Sequence, residues 1–87
     1  MKRVRFTIQA PGAKKVLLAG DFTNWERRAR SMRRGRTSSR TFAAYINLHP
    51  GTYQYKFIVD GEWITDPKAD AVMNSFGTHN SVVTVSG

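Results

Sequence analysis

Six carboxylates are the first residues whose type suits catalysis: Asp21, Glu26, Asp60, Glu62, Asp66 and Asp70. A general acid–base pair, such as the two carboxylates that cleave a glycoside, needs two of them convergent on one site. Three are explained more simply by their neighbours. Asp60 starts an Asp60-Gly61 turn, Asp66 precedes Pro67, and Asp21 follows Gly20 in a polar loop. No nucleophile elbow, phosphate-binding glycine loop or metal motif occurs. The chain has no cysteine, and two histidines, His49 and His79, are too few for a histidine-built metal centre. Neither an enzyme nor a bound cofactor is expected.

The two tryptophans carry more information. Trp25 closes the run Gly20-Asp21-Phe22-Thr23-Asn24-Trp25, and Trp63 lies just past the Asp60-Gly61 turn. One reading puts both in a core, because tryptophan is highly buried on average and immunoglobulin-like sandwiches often bury one. The other makes them exposed plates. An indole is flat and apolar with an N–H at its edge, suited to stack on the C–H face of a pyranose ring. Thr23, Asn24 and Glu26 surround Trp25 and make a poor setting for core. Two such plates, with Lys56, Thr78 and Asn80 as polar partners, would form a shallow oligosaccharide groove. On residue types alone both readings stand.

The elements that must hold these residues are strands. Val4, Phe6 and Ile8 alternate with Arg5, Thr7 and Gln9, the period of a half-buried strand, and Ala10-Pro11-Gly12 ends it. Val16-Leu17-Leu18-Ala19 is a short apolar run closed by Gly20-Asp21. Phe42, Ala44, Ile46 and Leu48 alternate with Thr41, Ala43, Tyr45 and Asn47. Pro50-Gly51 then suits the centre of a type II turn. Tyr53, Tyr55, Phe57 and Val59 face one way, opposite Gln54, Lys56 and Ile58. Asp60-Gly61 is a strong two-residue hairpin signal returning through Glu62-Trp63-Ile64. Residues 68–79 read as irregular, before a last short strand containing Val82, Val83 and Val85. No stretch has helical periodicity. The pattern predicts an all-β, antiparallel sandwich of about seven short strands, with an open barrel as the neighbouring alternative.

At 87 residues the chain has room for one domain with a compact core. No apolar run approaches the roughly 20 residues that span a bilayer, and the N-terminus lacks a signal-peptide core, so a cytoplasmic location without membrane contact is expected. The formal net charge is +8, but seven arginines (Arg27, Arg28, Arg30, Arg33, Arg34, Arg36 and Arg40) fall within residues 27–40, which contain no acid. The basic character therefore belongs to one segment. Elsewhere the chain is nearly neutral.

The strings Gly20-Asp21-Phe22-Thr23-Asn24-Trp25, Pro50-Gly51-Thr52-Tyr53-Gln54-Tyr55-Lys56-Phe57-Ile58-Val59-Asp60-Gly61-Glu62-Trp63, Asp66-Pro67 and Phe76-Gly77-Thr78-His79-Asn80-Ser81-Val82-Val83 occur in this order. Together they resemble the family 48 carbohydrate-binding modules. That family includes the glycogen-binding domain of the AMP-activated protein kinase β subunit and the N-terminal modules of isoamylases and branching enzymes. The resemblance covers nearly the whole chain except the arginine segment. It implies an immunoglobulin-like (early set) β-sandwich over residues 1–87, with a basic loop insertion at about 27–40, and a surface groove for α-1,4-linked glucans. By the same resemblance Trp25 and Trp63 match the tryptophans that stack on glucose, and Lys56 matches the lysine that binds hydroxyls. Thr78 and Asn80 match the polar pair at the groove edge. Phe76 stands where kinase members have a leucine, which keeps an apolar contact and changes its shape.

The implied function is non-catalytic binding of glycogen, starch or maltooligosaccharides, targeting or regulating an attached or partner enzyme or kinase. The alternative is a module of such a complex that packs structurally and no longer binds sugar. Met32 is expected to anchor a short strand within the arginine segment, with Arg33–Arg40 as a hairpin loop. The segment also raises nucleic acid as a rival ligand, but no aromatic platform interrupts its charge, so this class ranks last.

Overall fold

The computed structural model describes residues 1–35 and 40–86. In chain order its strands are β1 (Lys2–Gln9), β2 (Val16–Gly20), β3 (Arg30–Ser31), β4 (Arg33–Arg34), β5 (Thr41–Leu48), β6 (Gly51–Val59), β7 (Glu62–Ile64), β8 (Asp70–Met73) and β9 (His79–Val85). Two 3-10 turns, Asp21–Thr23 and Trp25–Arg28, follow β2. All pairings are antiparallel. One sheet has the order β1-β5-β4; the other runs β3-β2-β6-β9-β8, with β7 pairing the end of β6.

Alternation explains both sheets. In β1 and β5, Phe6 lies opposite Ala44 and Ile8 opposite Phe42, so large and small side chains share one buried face. In the second sheet Leu18 opposes Phe57, and both are fully buried. Each such side chain contributes roughly 1.5–3 kcal/mol by leaving water. The sheets meet through an aromatic edge: Phe6 on β1 and Tyr55 on β6 are 4.9 Å apart at 72°. The result is a two-layer β-sandwich, as the period-2 pattern predicts.

Several local expectations change. The described residues form nine strands rather than about seven. The arginine segment contributes β3 and β4, each only two residues long, on the edges of different sheets. Met32 between them is buried, the anchor its type suggested. The Gly35 N–H donates to the Thr41 carbonyl at 2.8 Å, and β4 pairs β5, as in a hairpin; the loop's interior, Arg36 to Ser39, lies outside the described residues. Residues 70–73, read as irregular, form the edge strand β8. Pro50-Gly51 is not the type II turn of a hairpin. Gly51 has φ 155°, far from the roughly +80° such a turn needs, and β5 and β6 lie in different sheets. Asp60-Gly61 does form the expected tight hairpin, with φ 49° and 89° and the pairing of β6 with β7.

Three carboxylates have the structural roles their positions suggested. The Asp60 carboxylate accepts from the Lys14 and Lys15 backbone N–H groups at 2.9 and 2.8 Å. Asp66 accepts the Tyr55 hydroxyl at 2.8 Å and the Lys68 N–H at 3.0 Å. Asp21 accepts the Gln54 N–H at 2.8 Å, taking over as a partner of β6 where β2 ends.

Candidate functional site

Because Tyr55 and Phe57 point into the core, Gln54 and Lys56 stand on the outer face of the second sheet. Register adds the rest of that face. Trp63 on β7 lies opposite Ile58, next in phase after Lys56, and is 44% exposed. Asn80, two residues before the Val82 that pairs Gln54, joins them from β9. An open groove of about 940 Å³ runs over this surface. Trp25, Lys56, Trp63, Phe76, Thr78 and Asn80, the six residues singled out from the sequence, all line it.

Trp25 reaches the groove by an unusual backbone route. Ala19, opposite Lys56, is on the outer face yet fully buried, because the chain folds back over it after Gly20. Gly20 is required there for space: a Cβ would lie 2.7 Å from the Gln54 carbonyl oxygen and 2.9 Å from the Tyr55 Cβ. Asn24 and Trp25 then both take left-handed conformations, φ 54° and 55°. Asparagine tolerates this; for a bulky side chain it stores strain of order 1–3 kcal/mol, a cost met by surrounding contacts. The tryptophan is half-buried, midway between the core and exposed readings.

The opposite wall is organised by Asn74. Its side-chain oxygen accepts from the N–H groups of Phe76 and Thr78 at 2.9 and 3.2 Å. Its amide nitrogen donates to the Thr78 hydroxyl oxygen at 2.7 Å and the Asn80 side-chain oxygen at 3.0 Å. The loop so tied presents Phe76 at 89% exposure. Asn80 itself is buried, and its amide nitrogen donates onward to the Gln54 side-chain oxygen at 3.0 Å. One of its two donors and one of its two acceptor positions are thus committed internally.

What remains free defines what the groove can do. Among the described residues, the Lys56 ammonium and both indole N–H groups have no hydrogen-bond partner, and the Thr78 hydroxyl retains its proton for donation. Apolar surface comes from Trp25, Trp63 and Phe76, with Met73 as a further contributor. The charged lining is balanced: Asp21 and Glu26 against Arg27 and Lys56. Such a surface is suited to a neutral ligand with alternating apolar faces and hydroxyls. Of the lining residues not foreseen, Gln54 was accessible from the period-2 phase it shares with Lys56. Asn74 carried a weaker signal, an asparagine three residues before a glycine in a polar loop. Met73 had none.

Residues 3–87 match the family model described as the glycogen recognition site of AMP-activated protein kinase. The chain is similar to the 5'-AMP-activated protein kinase subunit beta-1 of Sus scrofa, with 38% identity over 74 residues, covering 85% of this chain and 57% of that one. It is 36% identical over 74 residues to the beta-2 subunit of Homo sapiens, covering 26% of that chain. The chain therefore spans between about a quarter and somewhat over half of these curated relatives. Among solved structures, a maltogenic amylase from S. marinus matches 98% of this chain with 14% of its own, at TM-score 0.72 and 27% identity.

Proposed function

Since the chain belongs to the family of glycogen recognition sites of AMP-activated protein kinase, we propose that it is a non-catalytic module that binds α-1,4-linked glucans through the groove on its outer sheet face. The observation that carries this reading is the convergence of two partner-free indole edges, a lysine and a protruding phenylalanine on one charge-balanced groove. Trp25 and Trp63 stack on glucose rings, Phe76 enters the turn of the sugar chain, and Lys56 and Thr78 bind hydroxyls. Asn80 contributes from beneath, chiefly by fixing Gln54 and the Phe76 loop. The module extends over residues 1–87, with the arginine segment as a local insertion, and brings an attached or partner enzyme or kinase to glycogen, starch or maltooligosaccharides.

Retardation in a glycogen-containing native gel tests the reading, with maltoheptaose titration giving the affinity. Trp25→Ala and Trp63→Ala should each weaken binding by roughly tenfold or more, a loss of about 1.4 kcal/mol for one stacking plate. Trp63→Ala should leave the melting temperature nearly unchanged, because the side chain is 44% exposed. Wild-type protein that migrates as freely with glycogen as without it refutes the reading.

A further inference from the structure

The segment that carries Trp25 contains one buried polar side chain, Thr23, at 5% exposure. Its hydroxyl oxygen accepts the Gly20 N–H at 2.9 Å, at the end of β2. Its hydroxyl proton faces two carbonyl oxygens, that of Trp25 at 2.9 Å and that of Gly20 at 3.1 Å. One hydroxyl thus joins the last residue of a core strand to the backbone of the groove tryptophan. Between them lie the two left-handed residues, Asn24 and Trp25. A tryptophan stays in that region only where its surroundings over-determine it. The 3-10 turn that begins at Trp25 is entered through a long bond, from the Arg27 N–H to the Asn24 carbonyl at 3.3 Å.

We propose that the Thr23 hydroxyl is the positioning group that sets the Trp25 indole at the groove. It acts through the backbone and does not touch ligand. Valine at this position keeps the β-branched shape and removes the latch; serine keeps the latch and removes a methyl. Without the hydroxyl, the Gly20 N–H loses its acceptor and the Trp25 carbonyl loses its tie to the Thr23 side chain, and the left-handed pair relaxes toward ordinary backbone. The indole then leaves its place in the groove. The consequence for sugar affinity rests on the glucan reading above, whereas the effect on Trp25 does not.

The test uses Thr23→Val and Thr23→Ser, each made in the wild type and in a Trp63→Phe background where Trp25 is the sole source of indole emission. In that background Thr23→Val should red-shift the emission and raise its quenching by acrylamide, and Thr23→Ser should retain the parent spectrum. In the wild type Thr23→Val should weaken maltoheptaose binding by roughly fivefold, the worth of one buried hydrogen bond, with Thr23→Ser close to wild type. Thr23-dependent emission without glucan binding by any form supports the positioning role and refutes the glucan reading instead. Unchanged Trp25 emission and unchanged affinity in folded Thr23→Val overturn the proposal. Should that variant not fold, hydrogen exchange on the wild type decides. A slowly exchanging Gly20 amide supports the latch, and an unprotected one overturns it.

Discussion

At the scale of single residues, the groove depends on the side chains that tie its walls together. Asn74 makes four side-chain hydrogen bonds within the wall that presents Phe76. One of them satisfies the side-chain oxygen of the buried Asn80, which water does not replace cheaply. Asn74→Ala should lower stability by about 1–3 kcal/mol and free the loop. Maltoheptaose affinity should fall with it, and the Phe76 amide should lose exchange protection. A second buried contact, the Tyr55 hydroxyl on Asp66 at 2.8 Å, makes a prediction about pH. Burial first, and then the Asp66 carboxylate as acceptor and neighbouring charge, push the Tyr55 pKa well above its ordinary value of 10.0. The unfolded chain therefore releases this proton first. The stabilisation is complete below about pH 10 and declines as pH rises from there toward the folded-state value. Tyr55→Phe should be less stable at neutral pH by about 1–2 kcal/mol and should lose less of its stability between pH 9 and 11, as measured by urea unfolding.

At the scale of elements, the site is held by the β2–β6 pair, since β6 carries Gln54 and Lys56 and the end of β2 launches Trp25. Gly20→Ala addresses this junction without a conformational objection, because φ −174° is open to any residue. The added Cβ meets the Gln54 carbonyl at 2.7 Å and the Tyr55 Cβ at 2.9 Å, atoms that belong to β6 and cannot swing away. The strands must separate locally, at about 1–3 kcal/mol, and the thermal midpoint should drop by about 10 °C. Circular dichroism melting checks this, and an unchanged midpoint would exclude the close approach. The strands that bury one face were legible in the sequence: the alternation of Phe42, Ala44, Ile46 and Leu48 is the burial pattern itself. β8 was not, because all four of its residues are exposed and edge pairing leaves no alternation to read. Pro50-Gly51 announced a reversal but not that the next strand joins the other sheet. The six groove residues were recognisable through their motifs, and Lys56 also through its phase. The left-handed tryptophan was not, because its conformation is imposed by Thr23 and Gly20 rather than by its own preference.

At the scale of the whole molecule, the charge of +8 and the groove are separate features. The arginine segment crosses one side of the sandwich, with β3 on the edge of one sheet, β4 on the edge of the other, and Met32 buried between them. Two-residue, arginine-bearing edge strands offer little to a foreign strand, so their placement guards one edge of each sheet against edge-to-edge association. Arg34 is held locally: its guanidinium donates to the Ala13 carbonyl at 2.7 Å and lies 5.3 Å from the Phe42 ring centre. Among the described residues of this segment, only Arg27 lines the groove, where Glu26 offsets it. A neutral glucan displaces no counterions, and at 0.1 M salt fields fade within about 10 Å. Affinity for maltoheptaose should therefore change by less than about twofold between 50 and 200 mM salt. Phosphate-dominated binding of a polyanion through six or more contacts would lose about a thousandfold or more over the same interval. Isothermal titration at the two salt concentrations, with a single-stranded oligonucleotide titrated in parallel, separates the cases. A steep salt response of the maltoheptaose titration would tie the arginine segment to the groove and overturn their independence.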